Sequence, residues 1–189
     1  MKKLIFFVII FLIILGFLYY NTSIFGNNII IKDENKLVNS CLESFYNYEA
    51  EIEVTIKSNK TTNVYNMNQK VQGDYSFFEV TSSGKINGLK VELENNNLKI
   101  YNTELNLNKI YENYNAILKN DLFLNNFSDE FKNSNSTTYK EDSQFILETE
   151  NRRKRLYISS QDLKPSKLEI KDNAKNTAIC IIYKRIETL

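Results

Sequence analysis

Lys2 and Lys3 precede an uncharged apolar run, Leu4 to Tyr20. At about 1.5 Å per residue this run makes a helix of roughly 25 Å, a little under the hydrocarbon thickness of an ordinary bilayer, so it can span narrowly. Two lysines before it and none immediately after favour an inside N-terminus, which puts everything from Asn21 onward on the outer face. Tyr19 and Tyr20 then fall where an interfacial aromatic belt is expected. The alternative is a cleaved secretory signal, but Gly16-Phe17-Leu18-Tyr19-Tyr20 offers a peptidase nothing small at the positions it requires. We expect a signal-anchor over residues 1–20, a weakly patterned tether over 21–32, and one extracytoplasmic domain over 33–189. With either fate of the apolar run, the working part is exported.

After the tether the pattern becomes helical. Asp33 can cap a helix in which Leu37, Val38, Cys41, Leu42 and Phe45 recur at spacings of three and four. The period then changes to two: Ile52, Val54 and Ile56 alternate with Glu51, Glu53, Thr55 and Lys57, which predicts a strand with one buried and one wet face. Further strands follow at Tyr65 to Val71, Tyr75 to Thr81, Leu89 to Leu93 and Leu98 to Tyr101, separated by turns at Gly73-Asp74, Ser82-Ser83-Gly84 and Asn95-Asn96-Asn97. Glu104 to Asn115 carries both periods. Asp121 to Lys132 is predicted helical, with Phe123, Phe127 and Phe131 on one line and Leu124 beside it. Asn133 to Asp142 is predicted to be a polar loop. Strands return at Gln144 to Glu150, Arg155 to Ser160, Lys167 to Lys171 and Thr177 to Ile186, with Pro165 ahead of the third, where a missing amide does least harm. The sum is an α+β domain, one long antiparallel sheet whose apolar face is covered by helices.

Charge and composition narrow the function. Lys and Arg number 24 against 23 Asp and Glu, with no long basic tract, so nucleic acid is not an expected partner. Heavy use of Asn, Ile, Lys and Tyr is what an AT-rich bacterial genome produces. Histidine is absent, which removes the commonest general base and the commonest metal ligand. Cys41 and Cys180 are expected as small core hydrophobes and not as a disulfide. Cys41 ends a passage that superficially resembles a lipidation box, but it stands inside a helical pattern far beyond the apolar run. Glu92 with Glu94, and Glu148 with Glu150, lie two apart on strands and so share a face, where solvated charge is the default. No phosphate loop, metal-spaced cluster or activated serine pattern is present. We expect no enzyme, no cofactor and no metal.

Two features remain as sites. Arg152-Arg153-Lys154-Arg155 is the densest charge feature; it suits anionic headgroups, wall polymer or an acidic partner surface, or is simply a solvated hairpin tip. Among the many aromatics, Tyr65, Phe77, Phe78, Tyr101, Phe123 and Phe127 are candidates to line an apolar cavity for an acyl chain, against the alternative that they are core. An open strand edge is a third route to a partner.

The order of elements, and the passage from Arg155 through Pro165 to Asp172 followed by Cys180-Ile-Ile-Tyr183, resemble the LolA/LolB-like family, and within it the GerS-type clostridial germination lipoproteins. The resemblance covers roughly Glu34 to Leu189. It implies a strongly curved half-barrel sheet with helices in its concavity. It also implies an accessory role in spore-cortex peptidoglycan processing, in which the protein binds and activates an N-acetylmuramoyl-L-alanine amidase. The place would be the outer face of the cell or forespore membrane of a Gram-positive bacterium. A departure is that no cysteine ends the apolar run, so the helix itself would be the anchor. The other role the family implies is a lipid or lipoprotein carrier.

Overall fold

The computed structural model describes residues 36–82, 84–114, 121–172 and 176–189. The apolar run Leu4 to Tyr20 and the tether lie outside these residues. Among the described residues no helix is long and apolar enough to cross a membrane. The chain divides into two compact units, Met1–Asn39 and Ser40–Leu189, and the whole sheet belongs to the second.

Helical residues 36–44 (α1) lead into six strands, β1 (Tyr48–Lys57), β2 (Thr62–Gln72), β3 (Tyr75–Val80), β4 (Lys90–Glu94), β5 (Asn97–Asn102) and β6 (Leu107–Tyr111). Helix α2 (Leu124–Lys132) separates them from β7 (Thr137–Glu141), β8 (Gln144–Glu148), β9 (Lys154–Ser159), β10 (Pro165–Asp172) and β11 (Thr177–Thr188). All eleven form one open antiparallel sheet in the order β6-β5-β4-β3-β2-β1-β11-β10-β9-β8-β7. Two meanders are therefore joined by a single seam, the pairing of the first strand with the last.

Register shows why the alternation was readable. Across five neighbouring strands Leu147, Leu156, Leu168, Ile181 and Val54 stand opposite one another in sequence, and all five are fully buried. Each such side chain contributes about 1.5–3 kcal/mol by leaving water. The residues between them, Arg155, Glu169, Cys180 and Thr55, form the matching row on the opposite face. A register shift between Glu51 and Ile52 sets Ile52 against Tyr183 and keeps the apolar rows in step on either side of it.

Helix α2 lies over the apolar face, and its attachment is polar. It begins at Phe123 without a side-chain cap. Instead the Leu124 N–H donates to the Tyr48 hydroxyl at 3.1 Å, and that hydroxyl donates to Gln69 Oε1 at 3.2 Å. Gln69 Nε2 in turn donates to the Leu122 carbonyl at 3.1 Å. Tyr48 and Gln69 are both buried, so the network supplies in the core what a capping serine or aspartate supplies at a surface. Burial also pushes the Tyr48 phenol well above its ordinary pKa, so it remains a hydroxyl able to donate. Phe123, Leu124 and Phe127 are buried beside it, and the Phe123 ring lies 6.3 Å from that of Phe78.

One ambiguity is resolved and two expectations need correction. Residues 104–115, which carried both periods, contain strand β6, because Asn106 (φ 50°) and Asn113 (φ 53°) turn left-handed at either end and no helix can run through them. The polar loop expected over 133–142 contains strand β7; none of its residues is fully buried, so it shows no apolar face to read. The cysteines are free, as expected, but only Cys41 is buried, with its thiol donating to the Leu163 carbonyl at 2.9 Å. Cys180 is half-buried in the row opposite to the core.

Two outcomes are expected. Tyr48→Phe strands Gln69 Oε1 and the Leu124 N–H and should cost about 1–3 kcal/mol, seen as a lower urea midpoint at unchanged slope; an unchanged midpoint would refute the capping role. Burial pushes the Cys41 thiol up to about 11, so alkylation of the native chain at neutral to mildly alkaline pH should mark Cys180 well before Cys41, as peptide mapping would show.

Candidate functional site

The four basic residues of the β8–β9 turn do not form one patch. Arg152 adopts a left-handed conformation at the tip (φ 54°), and its N–H donates to the Thr149 carbonyl at 2.8 Å. Entry into β9 then sends successive side chains to opposite faces. Lys154 goes to the helix-covered face, in register with Ile170, and is buried there. Its Nζ lies 2.6 Å from Asp121 Oδ1 and 2.5 Å from Glu130 Oε2, tying β9 to α2 and to the segment before it. Arg153 reaches the other oxygen of Asp121 at 2.5 Å. Arg155 goes to the opposite face, where its Nε meets Glu148 Oε2 at 2.5 Å, while Arg152 Nε takes Glu148 Oε1 at 3.2 Å. Glu148 is buried and holds both guanidinium groups. Every cation of the turn thus has an acidic partner, and Arg152, 81 % exposed, is the one that faces water most fully.

On the Arg155 side lies a cleft of about 510 Å³ between Asn135, Thr137, Tyr139, Glu148, Arg152 and Arg155. A second, of about 320 Å³, lies among Glu49, Glu51, Asn68, Lys70, Phe77 and Arg185. Both are walled largely by charged and polar side chains.

The six aromatic candidates divide between the faces. Register puts Tyr65 and Phe78 on the face that Ile52, Met67 and Gln69 share, where Phe123 and Phe127 of the α2 region pack. Phe77 and Tyr101 stand on the other face. Phe77 is stacked with Tyr75 at 6.4 Å. The Tyr101 hydroxyl donates to Glu92 at 2.6 Å, which pushes its pKa up to about 12, and Lys99 Nζ sits 4.5 Å over its ring. Phe77 and Tyr101 therefore cannot line a cavity with the other four.

The carboxylate pairs are drawn into the same kind of contact. Glu92 takes Tyr101 and Lys99, and Glu148 takes its two arginines. Asn135 Nδ2 donates to Glu150 at 3.4 Å. Among the described residues no three His, Cys, Asp or Glu side chains converge as a metal-holding group. Sequence reasoning missed Tyr183: its hydroxyl is buried without a hydrogen-bond partner on the helix-covered face. It also missed the role of Gln69, although a glutamine at an inward position of β2 was the available signal.

No family model matches the chain, and no curated protein matches it. Solved structures do. An uncharacterised conserved protein from Thermus thermophilus is similar at 9 % identity over 83 % of this chain and 88 % of that one, with a TM-score of 0.51. A LolA superfamily protein from Nitrosomonas europaea is similar at 10 % identity over 79 % and 92 %, TM-score 0.41. The structure of the CwlD amidase in complex with the GerS lipoprotein from Clostridioides difficile is similar at 17 % identity over 86 % and 92 %, TM-score 0.40. The likeness is one of fold alone, with a LolA superfamily protein and GerS among the neighbours, as the resemblance of the element order and the C-terminal passage led us to expect.

The paired charges carry a contrast. Lys154→Ala removes the buried cation from Asp121 and Glu130, of which Asp121 keeps Arg153, and should cost about 1–3 kcal/mol, whereas Arg152→Ala removes an exposed side chain whose buried partner Glu148 keeps Arg155 and should cost less than about 1 kcal/mol. Equal losses in denaturant unfolding would show that the two sides of the turn are energetically alike.

Proposed function

We propose that this chain is a non-enzymatic accessory protein, anchored by Leu4 to Tyr20 on the extracytoplasmic side of a bacterial membrane. There it binds and regulates an N-acetylmuramoyl-L-alanine amidase in spore-cortex peptidoglycan processing. The observation that supports it best is the fate of the reactive side chains. Glu92, Glu148 and the four cations of the basic turn are engaged in structural ion pairs, while among the described residues the sheet ends in open edges, one of which, β6, is suited to a protein partner. The partner class rests on the resemblance of the C-terminal passage. Of the basic turn, Arg152 is the member free enough of neighbours to meet an acidic surface or wall polymer.

A second reading, a lipid or lipoprotein carrier, draws support from Tyr183. A buried hydroxyl without a partner, on the face that also carries Tyr65 and Phe78, is a group that a bound carbonyl or headgroup oxygen would satisfy.

The two readings separate in one experiment. The full chain in liposomes is mixed with the purified cell-wall amidase of the same organism, and co-flotation and amide-bond cleavage of cortex peptidoglycan are measured; the lipids of the purified chain are analysed by mass spectrometry. Co-flotation with an altered cleavage rate is the expected result. No association and no change in rate would overturn the accessory reading, and an exchangeable acyl lipid in stoichiometric amount would establish the carrier in its place.

A further inference from the structure

The two open edges of the sheet are unlike. At one end β7 reads Thr137-Thr138-Tyr139-Lys140-Glu141; Tyr139, 42 % exposed, is its one large apolar side chain, and the threonines and adjacent charges are of the kind with which natural edges discourage pairing. At the other end β6 reads Leu107-Asn108-Lys109-Ile110-Tyr111. Ile110 is 61 % exposed, Tyr111 46 %, and Leu105 in the preceding turn 52 %. One hairpin therefore holds three large apolar side chains in water beside a row of backbone groups with which, among the described residues, no strand pairs. The Tyr111 ring lies 6.0 Å from that of Tyr114, which carries the apolar surface past the strand's end.

The edge is also held extended before anything docks. Ahead of it, buried Asn102 accepts the Leu105 N–H at 2.9 Å and donates to the Asn87 carbonyl at 2.7 Å. Behind it, the Tyr114 N–H donates to the Asn96 carbonyl at 2.6 Å. Left-handed Asn106 and Asn113 bracket the strand. A partner strand would thus meet a template whose ordering cost is already met by the fold.

The occupant follows from charge. Antiparallel self-pairing over all five residues would put Lys109 opposite Lys109 of a second copy, a like-charge pair that destabilises a ladder. A foreign strand with a carboxylate at that position reverses the sign. We infer that β6 is a docking edge for an extended segment of a different protein, one that adds to the sheet with a carboxylate opposite Lys109 and an apolar side chain against Ile110. The identity of that protein rests on the accessory reading; the edge and the chemistry of its ligand do not.

The test uses the full chain and a synthetic probe, a fluorescent peptide of alternating valine and glutamate blocked at both ends, with a proline-interrupted peptide as control. Saturable binding is expected, together with slowed amide exchange over Leu107–Tyr111 and not over Thr137–Glu141. Ile110→Lys should weaken binding about tenfold, the size of a lost interface anchor. Lys109→Glu should transfer the preference to a valine–lysine peptide; both positions are exposed, so neither variant should disturb the core. Absence of binding, protection elsewhere, or unchanged affinity in Ile110→Lys overturns the inference, as does β6 protection that appears only through self-association of the chain. If the amidase binds with β6 unprotected, the docking edge fails and the accessory reading stands. If the peptide binds β6 and the amidase binds nowhere, the reverse holds.

Discussion

The hydroxyl of Tyr48 is the joint on which the rest of the domain depends. Helix α2 has nine residues, and isolated helices shorter than about 12–15 residues are marginal in water. It also lacks a cap of its own. By accepting from the Leu124 N–H and donating to Gln69, Tyr48 gives α2 its starting point on the central strands, and Gln69 fixes the segment before it through the Leu122 carbonyl. Buried polar groups left unpaired would cost several kcal/mol, so this network tolerates only one placement of the helix. Toward the other end of α2, Lys154 reaches Glu130 from β9. A helix clamped by polar contacts at both ends over an aliphatic floor has its position set by direction-dependent bonds and its stability set by area.

The floor itself comes from alternation alone. Leu147, Leu156, Leu168, Ile181 and Val54 fall on one face because each strand places every second residue there and the registers bring those residues level. This is why β1 and β9 could be read from the chain: each has a dry side and a wetter side, and period two records the difference. The edges were harder for the opposite reason. A terminal strand is wet on its outer flank and thinly covered on its faces, so β7 looked like a loop and β6 mixed two periods. Backbone geometry marks their ends, left-handed Asn106 and Asn113 around β6 and left-handed Asp142 after β7, which sequence states only weakly.

The site was less legible than the fold. Arg152 to Arg155 look like one cluster because sequence proximity is not spatial proximity on a strand; period two, applied across the turn, separates Lys154 from Arg155. The aromatic candidates were grouped by chemistry, whereas register decides their face, and Phe77 and Phe78, adjacent in the chain, point to opposite sides. Tyr48, Gln69 and Tyr183 acquire their meaning from long-range neighbours. Of these only Gln69, a polar residue in an apolar alternation, announced itself.

The seam between β1 and β11 has a consequence in time. The first strand to be synthesised finds its second neighbour only when the last twelve-residue strand has been made, about 130 residues later in the chain. Until then one flank of β1 is an open ladder with Ile52 and Val54 uncovered beside it. A chain delivered slowly, or cut short ahead of Thr177, would spend that interval with its central strand exposed to any other strand in reach. Closure of the sheet therefore waits on β11: the two meanders become one sheet only when that strand arrives.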